Sequence, residues 1–205
     1  MINTNKLRCW IGWLGMSLPW IVLALSLSFG YGWPGSISAT YFIDPCITPF
    51  MIILGSASIL LFNYNGYSPL DNLLNSLAGV CGLGVCLFPC AATYAERVGT
   101  FQFPTEVSDT FHLVSAVGFF GILAYNSLFQ FTKGSDNPTP KKRKRNIVFR
   151  VCGVGMVLSF LAIIPCTLFH VPHATWWIEM FALTFFGISW LTKANCYKVL
   201  FADPK

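Results

Sequence analysis

Three imidazoles and a few carboxylates carry the residue types and spacing that suit chemistry in this chain. His112, His170 and His173 are its three histidines. All fall at the ends of apolar segments, and chain order puts them on one face with Asp44, Glu96, Glu106, Asp109 and Glu179. Neutral imidazoles and carboxylates are ordinary zinc ligands. His112, with His170 or His173 and a carboxylate from Asp109, Glu179 or Asp44, would hold an ion with one position open. Water on that zinc would attack an ester or amide in a lipid headgroup. His170 and His173, three apart on a proline-containing turn, would converge on one ion. Ser108 and His112 lie one helical turn apart, which permits a Ser–His pair. Each feature also has a plainer reading. Interfacial histidines hydrogen-bond water and headgroups, and Ser108 is a natural helix N-cap.

The elements that must position these groups are membrane spans. Hydrophobic residues make up 55% of the 205 residues and charged residues 10%. Soluble domains carry about one quarter charged residues, so this chain has too few to cover a water-facing surface. The expected fold is all-α: a single domain, 1–205, forming a polytopic bundle of six transmembrane helices. The spans cover about 10–29, 45–62, 69–92, 109–131, 147–169 and 175–194. Apolar runs of about 20 residues match a bilayer core. The first run lacks a small-x-small cleavage pattern after it, so it reads as a retained span, kinked at Pro19. Asp44-Pro45 and Ser68-Pro69 are helix start signals, and Asn65-Gly66 marks a turn. Ala78 and Gly82 share a helix face and would let a neighbour approach closely.

The charges fix an orientation. The loop 132–146 holds the run Lys141, Lys142, Arg143, Lys144 and Arg145. Six spans put twelve of the thirteen cations on one side, with Arg97 opposite. The positive-inside rule then makes both termini cytoplasmic and the histidine face non-cytoplasmic. The basic run would also hold acidic lipid headgroups. A net charge of +5 confined to one loop and two tails is not a nucleic-acid footprint. Short loops lean towards a bacterial inner membrane. Of the eight cysteines, Cys81, Cys86, Cys90, Cys152, Cys166 and Cys196 lie in apolar runs and read as small hydrophobes. No Cys-x-x-Cys pair occurs.

A charge inside a span costs about 2.5–3.5 kcal/mol on insertion scales. Glu179 and His112 therefore need partners or a wet cavity.

The layout resembles the six-span Frag/DRAM/Sfk-like group and related bacterial membrane proteins. The resemblance rests on Pro34-Gly35-Ser36-Ile37-Ser38, on Asp109-x-x-His112 and on Phe186-Gly187-Ile188-Ser189-Trp190. It implies a protein of lipid or glycolipid handling. Ser108-x-x-x-His112 is also similar to the first element of the alkaline ceramidase and progestin-receptor hydrolases. That superfamily has seven spans and a His-x-x-x-His, where this chain has six and His170-x-x-His173. Three functions follow as expectations. The first is a non-catalytic bundle binding membrane lipid, a membrane-protein partner or a second copy. The second is a zinc-dependent lipid hydrolase using His112, Ser108, Asp109 and Glu179. The third is a small transporter or channel subunit.

Overall fold

The computed structural model describes residues 4–134 and 138–196. Six of its helices are long and apolar enough to cross a membrane. They are α1 (Thr4–Ser28), α2 (Asp44–Phe62), α3 (Pro69–Leu87), α4 (Thr105–Tyr125), α5 (Pro140–Leu161) and α7 (Ala174–Lys193). A π-helical turn, Asn126–Gln130, prolongs α4, and the short α6 (Ile163–Leu168) follows α5. A 3-10 helix, Ser38–Phe42, precedes α2. Strands β1 (Arg97–Val98) and β2 (Phe103–Pro104) pair antiparallel between α3 and α4. The chain is an all-α, multi-pass membrane protein.

The six long helices close into a ring. Each packs on its neighbour in the order α1, α2, α3, α4, α5, α7, and α7 returns to α1. The α4–α5 seam is the most sparsely packed. Two crossings depend on missing side chains. A Cβ on Gly82 of α3 would stand 2.2 Å from Ser58 Oγ of α2. A Cβ on Gly187 of α7 would stand 2.7 Å from the Gly12 carbonyl of α1. Such backbone approach is how helices associate in lipid, where apolar burial supplies no drive.

Side-chain hydrogen bonds add interhelical links. Asn126 Nδ2 donates to Asn75 Oδ1 of α3 at 3.2 Å, while Asn75 Nδ2 donates within α3 to the Asp71 carbonyl at 2.6 Å. Ser127 Oγ donates to the Phe149 carbonyl and receives the Ser189 hydroxyl at 2.7 Å.

An even number of crossings brings both chain ends to one end of the bundle. A disulfide between Cys9 and Cys196 joins them there. This corrects the reading of Cys196 as a small hydrophobe. It lies exposed in the turn after α7, against α1. The other six cysteines are free thiols.

Several helix limits differ from those expected: α1 begins at Thr4, and the fifth span breaks after Leu161 into the short α6. α3 stops at Leu87, not near residue 92, because Pro89 disfavours helical geometry before it. α4 begins at Thr105, so Ser108 is an interior residue and no N-cap. α5 begins at Pro140, with Thr139 Oγ1 capping the Lys142 N–H. Lys141 to Arg145 are thus helical, where the sequence pointed to a loop. Ser68 caps α3 as expected, accepting from the Asp71 N–H at 3.2 Å.

Candidate functional site

The site stands at the end of the bundle away from the disulfide. It begins where α3 ends. The segment 88–92 is laced to α4 by four side chains spaced along one helical face. The Ser108 hydroxyl donates to the Pro89 carbonyl at 2.8 Å, and Asp109 Oδ1 accepts from the Ala91 N–H at 2.8 Å. Thr105 Oγ1 accepts from the Ala92 N–H, and His112 Nδ1 lies 2.8 Å from the Phe88 carbonyl. Ser108 and Asp109 therefore hold the loop after α3.

His112 is 6% exposed. A carbonyl only accepts, so Nδ1 carries the proton and Nε2 is left for a second partner. That partner is Ser38 Oγ, 3.0 Å away, at the start of the 3-10 helix. Ser38 Oγ also lies 2.9 Å from Glu179 Oε1. Glu179 Oε2 accepts from the Ile37 N–H at short range and from the Ser38 N–H at 3.3 Å. The carboxylate of α7 thus caps the 3-10 helix, whose exposed N–H groups favour a negative charge. Four elements meet in one chain of contacts: Glu179, Ser38, His112 and the Phe88 carbonyl.

Counting protons defines what this chain of contacts does. Ser38 has one hydroxyl proton and two neighbours that accept it. If His112 is neutral and Glu179 ionised, one acceptor goes unmet. A single further proton completes the set. On Glu179 it donates to Ser38, and Ser38 donates to Nε2. On His112 it donates to Ser38, and Ser38 donates to the carboxylate. The arrangement can serve as a one-proton relay between α7 and α4.

Beneath the relay lies an apolar cavity of about 60 Å³. Ser38 and Glu179 form its polar end, and Leu18, Phe50, Leu54, Phe119 and Leu183 line its walls. Phe120 and Phe160 belong both to this cavity and to an outer groove of about 200 Å³ along the α4–α5 seam. Their rings are 5.0 Å apart. They separate the interior from the lipid-facing surface.

Cys90 borders the site. Burial pushes its thiol up to about 12, and the Glu179 and Asp109 carboxylates push in the same direction.

The other predicted residues stand apart. His173 Nδ1 lies 3.3 Å from the Pro34 carbonyl, and its ring lies tilted against Trp33 with centroids 5.9 Å apart. His170 is exposed on the same turn, and Asp44 is exposed at the start of α2. Among the described residues, no group of three or more His, Cys, Asp or Glu side chains is placed to hold a metal ion. Lys141 to Arg145 lie at the opposite end, where Lys142 and Arg145 line a second cavity.

Sequence reasoning gave Ser38 no role. The signal was indirect. A carboxylate set into a span needs donors, and the Gly- and Ser-rich loop 30–44 offers uncommitted N–H groups.

The chain matches no protein-family model, no curated protein and no solved structure.

Proposed function

We propose that this membrane protein binds a lipid acyl chain at the α4–α5 seam, mostly along the outer groove, with its polar end entering the small cavity at Glu179 and Ser38. The observation that carries the reading is the shared wall at Phe120 and Phe160. An apolar groove open to the bilayer and an apolar cavity ending in a hydrogen-bonding relay meet there. Ligand sites of this kind are mostly apolar with a few placed polar groups. Rotation of two phenyl rings in the loosest seam would admit the chain without unpacking the ring of helices. With the cation-rich end in the cytosol, the relay opens towards the non-cytoplasmic leaflet.

The test is lipid retention. Wild-type protein purified in mild detergent should carry bound lipid or fatty acid by native mass spectrometry. Ala116 lines the cavity, so Ala116→Trp should lower retention at least fivefold while the protein stays folded. Equal retention in the two proteins would overturn the reading.

A second reading is favoured by the 3.0 Å contact between Ser38 Oγ and His112 Nε2. Ser38 Oγ would add to a lipid ester carbonyl as its proton passes to Nε2. That proton would leave on the departing alkoxide, and water would release the acyl group by the same route. A fluorophosphonate probe should then label wild type and spare Ser38→Ala. Absence of labelling in the folded wild type would sink it.

A further inference from the structure

The end of the bundle that carries both chain ends holds a larger cavity, of about 450 Å³. Its charged lining is lopsided. Lys133, Lys142, Arg145 and Lys193 face it, with Asp71 as the one carboxylate among the described lining residues. They come from α3, α5, α7 and the turn after α4, so donors converge from several directions.

Among the described residues, the hydrogen bonds of these cations go to neutral groups, and Asp71 is the carboxylate near Lys193. Lys142 Nζ donates to the Phe131 carbonyl at 2.8 Å, and Lys133 Nζ to Gln130 Oε1 at 2.7 Å. Arg145 Nη2 reaches the Lys193 carbonyl at 3.4 Å. Lys193 is 6% exposed, and its ammonium sits 4.1 Å from the Phe131 ring and 4.9 Å from the Tyr67 ring. The Arg8 guanidinium stacks on Tyr67 from behind, at 5.4 Å. Two donors on the lining, Arg145 Nε and Gln130 Nε2, are buried with no hydrogen-bond partner. Asp71 Oδ1 is likewise buried and unpartnered, while Oδ2 accepts from the Tyr67 N–H.

Buried donors are ordinarily satisfied, and a buried cation such as Lys193 is costly without an anion. A ligand that answers both needs carries more than one negative charge and several acceptor oxygens. A phosphate monoester fits. As the dianion, its three terminal oxygens would take donors from Arg145, Lys193 and Gln130. Guanidinium and ammonium groups are the usual partners of such oxyanions.

We propose that this cavity is a phosphate-binding site, built to take a phosphate monoester at the basic end of the bundle. Of the five-residue basic run, Lys142 and Arg145 enter it, while Arg143 and Lys144 point away and are exposed. The site is independent of the relay at the far end.

The experiment measures thermal unfolding of the full chain. One arm adds inorganic phosphate in detergent, against chloride at equal ionic strength. The other compares nanodiscs containing phosphatidic acid with nanodiscs of phosphatidylcholine alone. The expected result is a rise in Tm of several degrees. The apparent affinity should be at least tenfold weaker in Arg145→Gln and in Lys193→Met, and unchanged in Lys144→Gln. A rise in both arms assigns the phosphate group in either setting. A rise with phosphatidic acid alone assigns the lipid headgroup. Should Lys193→Met fail to fold, exposed Lys133→Gln removes a rim cation without touching the core, and should also weaken binding. No rise in either arm, or a rise that persists in Arg145→Gln and Lys133→Gln, overturns the proposal.

Discussion

Ser38 Oγ lies 3.0 Å from His112 Nε2 although 74 residues separate them. The hydroxyl hydrogen-bonds the loop after α1 to the buried imidazole of α4. Ser38→Ala removes it and leaves Nε2 and one carboxylate oxygen unmet. Such losses cost about 1–3 kcal/mol. Glu179→Gln keeps an acceptor for the Ile37 and Ser38 N–H groups and a donor for Ser38, so it should cost less. Glu179→Ala strands both N–H groups and should cost more. The expected order of Tm in detergent is wild type, Glu179→Gln, then Glu179→Ala. Equal Tm values for the two Glu179 variants would show that the carboxylate does not cap the 3-10 helix.

Cys90 tests the burial of the same region. Its thiol is held at about 12, against an ordinary value of 9.0, chiefly by burial. The folded pKa lies above the unfolded one. Below about pH 9 the thiol is protonated in both states, and its contribution to stability is complete. From pH 9 to 12 the unfolded chain ionises first, so that contribution declines as pH rises. A protein retaining Cys90 as its single cysteine should resist maleimide at pH 7.5 while folded, and react fully in denaturant. Fast labelling of the folded form would mean that Cys90 is open to water.

How much of this was legible in the sequence depends on distance along the chain. The helices are local, and apolar runs, Ser68 and the proline positions announce them. The demand that Glu179 and His112 find partners was legible too, because a charge in a span is expensive. Which partners they take was not. Glu179 reaches Ser38 across 141 residues, and no local pattern encodes that pairing. Ser108, one turn from His112, reads first as a helix N-cap and second as a mate for the imidazole, yet the early start of α4 turns it onto Pro89. The convergence of Lys193 with Lys142 and Arg145 likewise depends on α5 packing against α7.

The Asn75–Asn126 pair gives a measure of polar bonding within the bundle. Asn126 Nδ2 donates to Asn75 Oδ1, while Asn126 Oδ1 is buried without a partner. The stabilising bond and the unmet acceptor oppose one another. Asn126→Leu should therefore change stability little. A double-mutant cycle with Asn75→Leu should return a coupling of about 0.6 kcal/mol, the usual size for such bonds in membranes. A coupling near zero would mean that the two amides do not meet in the bilayer.

The Cys9–Cys196 bond makes the orientation testable. It lies at the basic end, which the positive-inside rule would place in the cytosol, where thiols are kept reduced. In living cells the pair should therefore be a dithiol, and the bond should form after extraction into air. Cells quenched in acid and alkylated with a heavy maleimide, using a variant that keeps these two cysteines alone, should show two additions. In the purified protein, reductant should lower Tm by a few degrees. Cross-links enclosing long loops stabilise soluble chains by up to about 5 kcal/mol. Here the bilayer already restricts the unfolded helices, so the gain is smaller. If the pair resists alkylation in quenched cells, the basic end faces an oxidising compartment, and the relay at Glu179 opens to the cytosol instead.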